Sequence, residues 1–270
     1  MKTRLASLTL AASLLSLPAL ADGKVTFKDP TGDDNGPGTY KYPTDAVYKK
    51  GSFDLTEFTA DQKGKNIDFT ATLATNLEDP WNMKKGFSTQ MVFIFIDTDG
   101  KEGSGHTDAP PGLNIQFAPA SAWEKLIILS PQEPARVRKE IETKAAALKD
   151  DILIPERTKG AGKKISGSVD GSSLKGDPSQ WGFQVVVQSN EGFPSGNDLM
   201  TRKVNEYEGQ HRFGGGNDGD CDPQVIDILA GNGKGDASET KAQHDMLKYE
   251  CAADGASKSK ATLTMVHQAK

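Results

Sequence analysis

The chain has 270 residues and a formal net charge of −5, and it contains 28 glycines and 14 prolines. An acidic chain lacks the basic face that nucleic acids and anionic lipids require, so neither is expected as a partner. The supply of Gly, Pro, Asp and Asn predicts many turns, and it also provides the oxygen atoms that calcium prefers as ligands.

The first 21 residues have the three parts of a secretory signal peptide. Residues 1–4 are basic, residues 5–17 are apolar apart from Ser and Thr, and Ala19–Ala21 is a small-x-small cleavage site. The apolar run is shorter than the roughly 20 residues that span a bilayer, so no transmembrane anchor is expected in the mature chain. We therefore predict a periplasmic or secreted protein with a signal peptide at 1–21 and a single domain at 22–270.

The two cysteines are Cys221 and Cys251. In an oxidising compartment a lone pair of cysteines is most simply a disulfide. The alternative, two thiolate ligands of a metal, lacks the close Cys-x-x-Cys spacing. The sequence therefore predicts a structural disulfide.

Most of the mature chain has the patterns of β-strands, either alternating or, at residues 91–96, continuously apolar as in a central strand buried on both faces. One segment breaks this pattern, because Val137, Ile141, Ala145 and Leu148 recur at helical spacing. We predict one amphipathic helix at residues 134–150, and strands at residues 53–58, 67–73, 91–96, 113–117, 124–129, 164–169, 181–188 and 261–267.

Many short strands with little helix favour an all-β fold, an immunoglobulin-like or jelly-roll β-sandwich, with the helix inserted around residues 134–150.

Three Asp-rich segments are candidate cation sites: residues 29–36 with Asp45 and Asp54 downstream, residues 97–108, and residues 217–222. Asp, Asn and Gly also build ordinary turns, which is the alternative for each segment. The first segment is favoured because the adjacent carboxylates of Asp33 and Asp34 repel each other unless a positive charge lies near. We predict calcium there, with Asp33, Asp34 and Asp54 as ligands.

No pattern of a catalytic site stands out. The chain has no Gly-x-Ser-x-Gly elbow, its four histidines have no metal-binding spacing, and its 37 acidic residues offer no way to choose a general acid and base. Residues 214–216 are three glycines, but the Lys-Ser/Thr of a phosphate-binding loop does not follow them. We therefore predict no catalytic residues and favour binding over catalysis.

Four aromatic residues near polar loops are candidates for stacking on sugar rings. Tyr40 and Tyr42 lie in a Gly/Pro-rich loop, Trp81 lies in a turn after a strand, and Trp123 precedes a strand. Packing in the core is the alternative for each.

Two motifs carry a resemblance to a known family: Gly-Asp-Asp-x-Gly-Pro-Gly-x-Tyr at residues 32–40 and Phe-Gly-Gly-Gly-x-Asp at residues 213–218. With them the chain resembles the C-terminal binding domain of glucodextranase. The resemblance extends over most of the mature chain, at residues 41–45, 51–55, 80–82, 86–90, 94–97, 111–114, 222–223 and 227–229. The pair Cys221 and Cys251 is a departure from that pattern.

The resemblance implies a β-sandwich of the family 9 carbohydrate-binding-module and DOMON type, a carbohydrate or cell-envelope glycan as partner, and calcium in the first Asp-rich segment. Two alternatives remain open. Some DOMON-type relatives bind haem b for electron transfer through Met with His or Lys, for which Met83, Met91 and His211 are candidates. The other alternative is a glycan-active enzyme or its accessory subunit.

Overall fold

The computed structural model describes residues 23–194, 196–217 and 219–268. The predicted signal peptide and Asp218 of the third Asp-rich segment lie outside the described residues. Most regular structure in the described part is β-strand, arranged as two main sheets with few short helices. The predicted all-β sandwich is therefore confirmed.

The first main sheet has five antiparallel strands. Its spatial order is β1-β2-β3-β9-β8. In β3 every second residue is buried, as the alternating sequence predicts for a strand with one face on the core. The strands are β1 (Lys24–Lys28), β2 (Leu55–Lys63), β3 (Asn66–Leu73), β8 (Thr158–Ala161) and β9 (Lys164–Asp170).

The second main sheet has the order β11-β10-β4-β6-β7, and β15 also pairs with β10. Every residue of its central strands β4 and β10 is buried, as the apolar runs at residues 91–96 and 185–187 indicate for strands covered on both faces. The strands are β4 (Gln90–Asp97), β6 (Lys125–Leu129), β7 (Ile152–Leu153), β10 (Gly182–Ser189), β11 (Asp227–Ile228) and β15 (Val266–His267).

Four short strands form two small pairs beside the main sheets. β5 (Ile115–Phe117) runs parallel to β14 (Ala261–Leu263), and β12 (Glu250–Cys251) is antiparallel to β13 (Ser257–Ser259).

The core consists of two hydrophobic clusters, one on each face of the second main sheet. Strand β4 contributes to both because its side chains alternate. Val92, Ile94 and Ile96 join the cluster between the two main sheets, whereas Phe93 and Phe95 join the cluster on the outer face. The second sheet is thus the central layer of the fold.

Two α-helices cover the outer face, and only the first was predicted. α1 (Pro134–Lys144) buries Val137 and Ile141 against the outer cluster, and a 3₁₀ helix over Ala146–Asp151 continues the predicted segment. The buried residues of α2 (Ala237–Met246) are the polar Glu239 and Gln243, so this helix has no continuous apolar stripe. It was therefore not predicted from the sequence.

Cys221 and Cys251, which are 30 positions apart in the sequence, form the predicted disulfide, with their Cα atoms 5.6 Å apart. Closing a loop of this length stabilises a fold by about 3–4 kcal/mol in the chain-entropy account. The loop contains β11 and α2, so the bridge restrains both. Within the described ranges, no helix has the length and apolar character needed to cross a bilayer.

Candidate functional site

Four buried aspartates from separate parts of the chain form what we call the acidic cluster: Asp29, Asp33, Asp54 and Asp227. Asp29 directly follows β1, Asp33 lies in the next loop, Asp54 immediately precedes β2, and Asp227 begins β11. None of the four is more than 5% exposed. The four residues meet where β11 and the residues after it approach the loop after β1 and the start of β2.

One carboxylate oxygen of three cluster members is held by a hydrogen-bond donor, while the other oxygen has no partner in the described part of the chain. The unpartnered atoms are Oδ2 of Asp29 and Oδ1 of both Asp33 and Asp54. The donors are the Ala230 amide to Asp29 (3.3 Å), the Thr240 hydroxyl to Asp33 (3.1 Å) and the Gly32 amide to Asp54 (2.7 Å).

Asp227 is held differently, since both of its oxygens accept backbone amides. Leu55 donates to Oδ2 at 2.6 Å and Ile228 donates to Oδ1 at 2.9 Å. One oxygen from each of Asp227, Asp29 and Asp33 lies within 4.8 Å of the other two. Three carboxylates therefore converge on a space that a single cation could fill.

Burial makes these carboxylates costly to ionise. It raises the pKa of Asp33 from 3.8 to about 6 and that of Asp54 from 3.8 to about 7. The pKa values of Asp29 and Asp227 are raised well above the usual range, first by burial and then by the charges of neighbouring carboxylates. None of the described salt bridges includes these four groups. Protons or a bound cation would therefore reduce the repulsion among their charges.

Two of the three predicted ligands, Asp33 and Asp54, lie in the acidic cluster. The third, Asp34, is also buried, but it accepts a hydrogen bond from the Tyr42 hydroxyl and lies at the edge of the cluster. Asp29 and Asp227 were not predicted as ligands from the sequence. For Asp227 the signal was an acidic residue inside the apolar run 225–229.

In the other two Asp-rich segments, described aspartates accept hydrogen bonds from neighbouring donors. One oxygen from each of Asp97, Asp99 and Glu124 also lies within 4.8 Å of the other two. Asp97 Oδ1 accepts the amides of Asp99 at 3.1 Å and Gly100 at 2.7 Å. Asp222 Oδ1 accepts the Asn217 amide at 3.0 Å. In both segments the aspartates stabilise the turn itself, as Asp side chains commonly do.

Two of the predicted stacking residues are buried in the structure. The Tyr40 hydroxyl donates to the Pro223 carbonyl at 2.5 Å, and the Trp123 indole donates to the Asp108 carbonyl at 3.1 Å. Trp123 has no exposed surface and Tyr40 is 6% exposed. Their rings therefore serve core packing in this conformation.

Trp81 lines an open groove of about 360 Å³, which we call the Trp81 groove. The guanidinium carbon of Arg202 lies 5.5 Å from the indole centre, and that of Arg136 lies 6.0 Å from the ring centre of Phe193. Phe193 is 92% exposed. Phe193 was not predicted as a ligand-binding residue, because it lies in a polar loop with no sequence pattern around it.

A chain of aromatic contacts connects the acidic cluster with the Trp81 groove. Tyr42, which donates to Asp34, has its ring centre 5.9 Å from that of Phe53. Phe53 stacks on Tyr48 at 6.1 Å, and Tyr48 contacts Trp81 at 6.3 Å. The two sites therefore share one packed network.

The residues considered for haem are divided between two places. Met83 and His211 line the Trp81 groove, whereas Met91 is buried in the outer core cluster. Met91 therefore does not share the groove with the other two. Haem binding stays a prediction of the sequence.

A family described as the C-terminal, SLH-like binding module of glucodextranase has a sequence model that matches residues 25–266. No curated protein matches the chain.

Proposed function

The chain belongs to the family of C-terminal binding modules of glucodextranase, and from this we propose that it is an exported, non-catalytic protein that binds carbohydrate or a cell-envelope glycan and whose loops are shaped by calcium. The chemistry of the Trp81 groove and of the acidic cluster supports the two parts of this proposal separately.

The Trp81 groove carries the sugar-binding part. Sugar rings stack their C–H faces on aromatic rings, and their hydroxyls bond to planar polar side chains. The groove offers the exposed ring of Phe193 and the indole of Trp81. The polar side chains of Arg136, Glu191 and Arg202 line the same groove. Its composition is therefore that of a site for a ligand that is apolar on one face and polar at its rim.

The unpartnered oxygens of the acidic cluster support the calcium part. Calcium takes six to eight hard oxygen ligands, and it removes the cost of burying several carboxylates together. Asp29, Asp33, Asp54 and Asp227 would hold the ion, which would join the loop after β1, the start of β2 and β11. The cluster suits calcium in two respects: its ligand atoms are carboxylate oxygens, and those without a hydrogen-bond donor are buried. A bound cation would interact with these oxygens in place of the missing donors.

Two exposed aromatic residues provide a matched test of the sugar-binding part. Phe193 lies in the groove, whereas Tyr207 is 73% exposed and lines a different cavity. We expect Phe193→Ala to weaken glycan binding about tenfold, because a stacking contact with one aromatic ring is worth up to about 1.5 kcal/mol and each 1.4 kcal/mol is roughly a factor of ten in affinity. Tyr207→Ala should bind as the parent protein does. A glycan array followed by calorimetric titration of the hits in 1 mM calcium measures both.

Equal affinity of the parent and Phe193→Ala would show that the groove is not the glycan site. Absence of any hit from the array would contradict the proposed function as a whole. The melting temperatures of both variants, measured under the same conditions, distinguish a loss of binding from a loss of folded protein.

A further inference from the structure

The charges of the Trp81 groove do not cancel. Glu191 is its one described acidic residue, and both of its oxygens are used: Oε2 lies 3.1 Å from Nε of Arg202, and Oε1 accepts the Phe193 amide at 3.0 Å. Glu191 thereby neutralises Arg202. Arg136, the second arginine of the groove, has no carboxylate partner among the described residues.

The guanidinium of Arg136 is held in place by a buried amide chain. Its Nη1 donates to Gln132 at 2.9 Å, Gln132 donates to Asn190 at 3.1 Å, and Asn190 donates to the Ser88 carbonyl at 2.9 Å. Gln132 is 4% and Asn190 1% exposed. Nη2 of Arg136 donates to the Gly192 carbonyl. The positively charged side chain of Arg136 is thus held by uncharged hydrogen-bond partners among the described residues.

The Arg136 guanidinium retains free donors. Arginine has five N–H groups in a planar fork, and the two described hydrogen bonds use two of them. A planar fork matches a carboxylate, which accepts two parallel hydrogen bonds from it. Because the supporting amides already fix the guanidinium, little additional side-chain entropy is lost when such a ligand binds.

On the basis of the proposed function, we propose that the Trp81 groove selects an acidic glycan, in which a uronic acid stacks its ring on Phe193 and its carboxylate accepts hydrogen bonds from Arg136. The guanidinium carbon lies over the Phe193 ring, 6.0 Å from its centre. Phe193 is nevertheless 92% exposed, so most of its ring is open to a sugar. A uronic acid has an apolar C–H face that can stack on Phe193 and, at the edge of the same ring, a carboxylate that can reach Arg136. Glu191 is already occupied by Arg202 and the Phe193 amide, so it does not oppose the incoming anion.

The test compares uronate oligosaccharides with neutral ones of the same length and linkage. Trimers of galacturonate, glucuronate, mannuronate and guluronate, and their neutral hexose counterparts, are titrated calorimetrically in 1 mM calcium. We expect at least one uronate trimer to bind ten times or more tightly than its neutral counterpart. Raising the salt concentration from 50 to 300 mM should reduce that preference, because part of it is a screened charge interaction.

Two arginines of α1 supply the variant and its control. Arg136→Gln removes the fork of the groove, and Arg138→Gln removes an exposed arginine that pairs with Glu156 instead. We expect Arg136→Gln to lose the preference for uronate about tenfold and to keep the affinity for neutral trimers, whereas Arg138→Gln should change neither. Arg136→Lys keeps the charge but not the fork, so it should retain only part of the preference and provides a second variant if Arg136→Gln does not fold.

The outcomes separate this inference from the proposed function. Equal binding of uronate and neutral trimers, with no effect of Arg136→Gln, would overturn the selection of an acidic glycan and leave glycan binding intact. Failure of every oligosaccharide to bind would overturn the proposed function, and this inference with it. A preference for uronate that survives both Arg136 variants would show that another part of the surface recognises the anion.

Discussion

The first and second Asp-rich segments have similar sequences and very different environments. Asp97 lies at the end of β4, and one of its oxygens accepts two amides of the turn that follows. Asp99 is paired with Lys101 at 3.1 Å. In the first segment Asp29 and Asp33 are buried beside Asp54 and Asp227, and three of these four residues have an oxygen without a donor.

The difference comes from what packs on each segment. The second segment is a local turn whose donors come from within a few residues of the aspartates. The first is completed by Asp227, which lies far away in the sequence and reaches the cluster through the pairing of β11 with β10. Composition alone therefore does not distinguish a turn that satisfies its own carboxylates from a cluster of buried carboxylates without donors.

The largest expected effect is that of calcium on the stability of the parent protein. An ion present at a thousand times its dissociation constant stabilises a fold by about 4 kcal/mol, which corresponds to about 10 °C for a chain of this size. We therefore expect EGTA to lower the melting temperature by about 10 °C relative to 1 mM calcium. Differential scanning calorimetry measures the shift.

Matched variants of the first and second Asp-rich segments show which segment binds the calcium responsible for the shift in melting temperature. Asp33→Asn should abolish most of it, because the amide removes one carboxylate ligand while retaining an acceptor for Thr240. Asp99→Asn should leave it unchanged. A shift that Asp99→Asn abolishes and Asp33→Asn preserves would move the cation site to the second segment, and no shift in the parent would exclude a stabilising calcium ion.

A smaller effect is expected from pH in the absence of calcium. The pKa of Asp33 is about 6 and that of Asp54 about 7, against 3.8 for an ordinary aspartate, so the folded protein binds more protons than the unfolded chain in this interval. Its free energy of unfolding must then fall as the pH rises from about 4 to 7. In EGTA, we expect denaturant titrations to show lower stability at pH 7.5 than at pH 5.

Calcium should weaken this pH dependence, since the ion takes the place of the protons on the same carboxylates. The carboxyl of Asp245 acts in the opposite direction, because its lysine partners hold its pKa at about 2, but it titrates below the measured interval. A stability that rises between pH 5 and 7.5 in EGTA would contradict the raised pKa values of the acidic cluster.

Local patterns predicted much of the fold. The strands at residues 67–73 and 91–96 were predicted to within one residue at each end, because their apolar periodicity reports directly on burial. Helix α2 was not predicted, because Glu239 faces inward to accept the amides of Asn232, Lys234 and Gly235. A helix that buries hydrogen-bonded polar groups has no periodic apolar signal.

The candidate sites were less predictable because they depend on contacts between distant segments. The adjacent acidic pair pointed to Asp33, but only the sheet pairing of β11 brings Asp227 to it. Trp81 was assigned to a ligand site from its turn, whereas the groove beside it depends on Arg136 from α1 and Arg202 from a distant loop. Contacts between residues so far apart in the sequence leave no pattern in either segment that could predict them.

The smallest expected effect is an energetic coupling between the two sites. Asp34 binds the Tyr42 hydroxyl, and Arg202, which lies over Trp81, donates to the Tyr48 hydroxyl at 2.9 Å. An ion that orders the loop of Asp34 should therefore restrain the rings that support the groove. We expect EGTA to weaken glycan affinity about fivefold, a typical coupling of about 1 kcal/mol.

Reciprocity makes this coupling testable from both sides. A glycan that binds five times more tightly in the presence of calcium must raise the affinity for calcium by the same factor. Calcium titrations with and without saturating glycan measure that factor directly. Tyr48→Phe should reduce it, because the variant keeps the ring that packs on Phe53 but loses the hydroxyl that accepts the hydrogen bond from Arg202. Identical calcium affinities in the two titrations would show that the acidic cluster stabilises the sandwich without adjusting the groove.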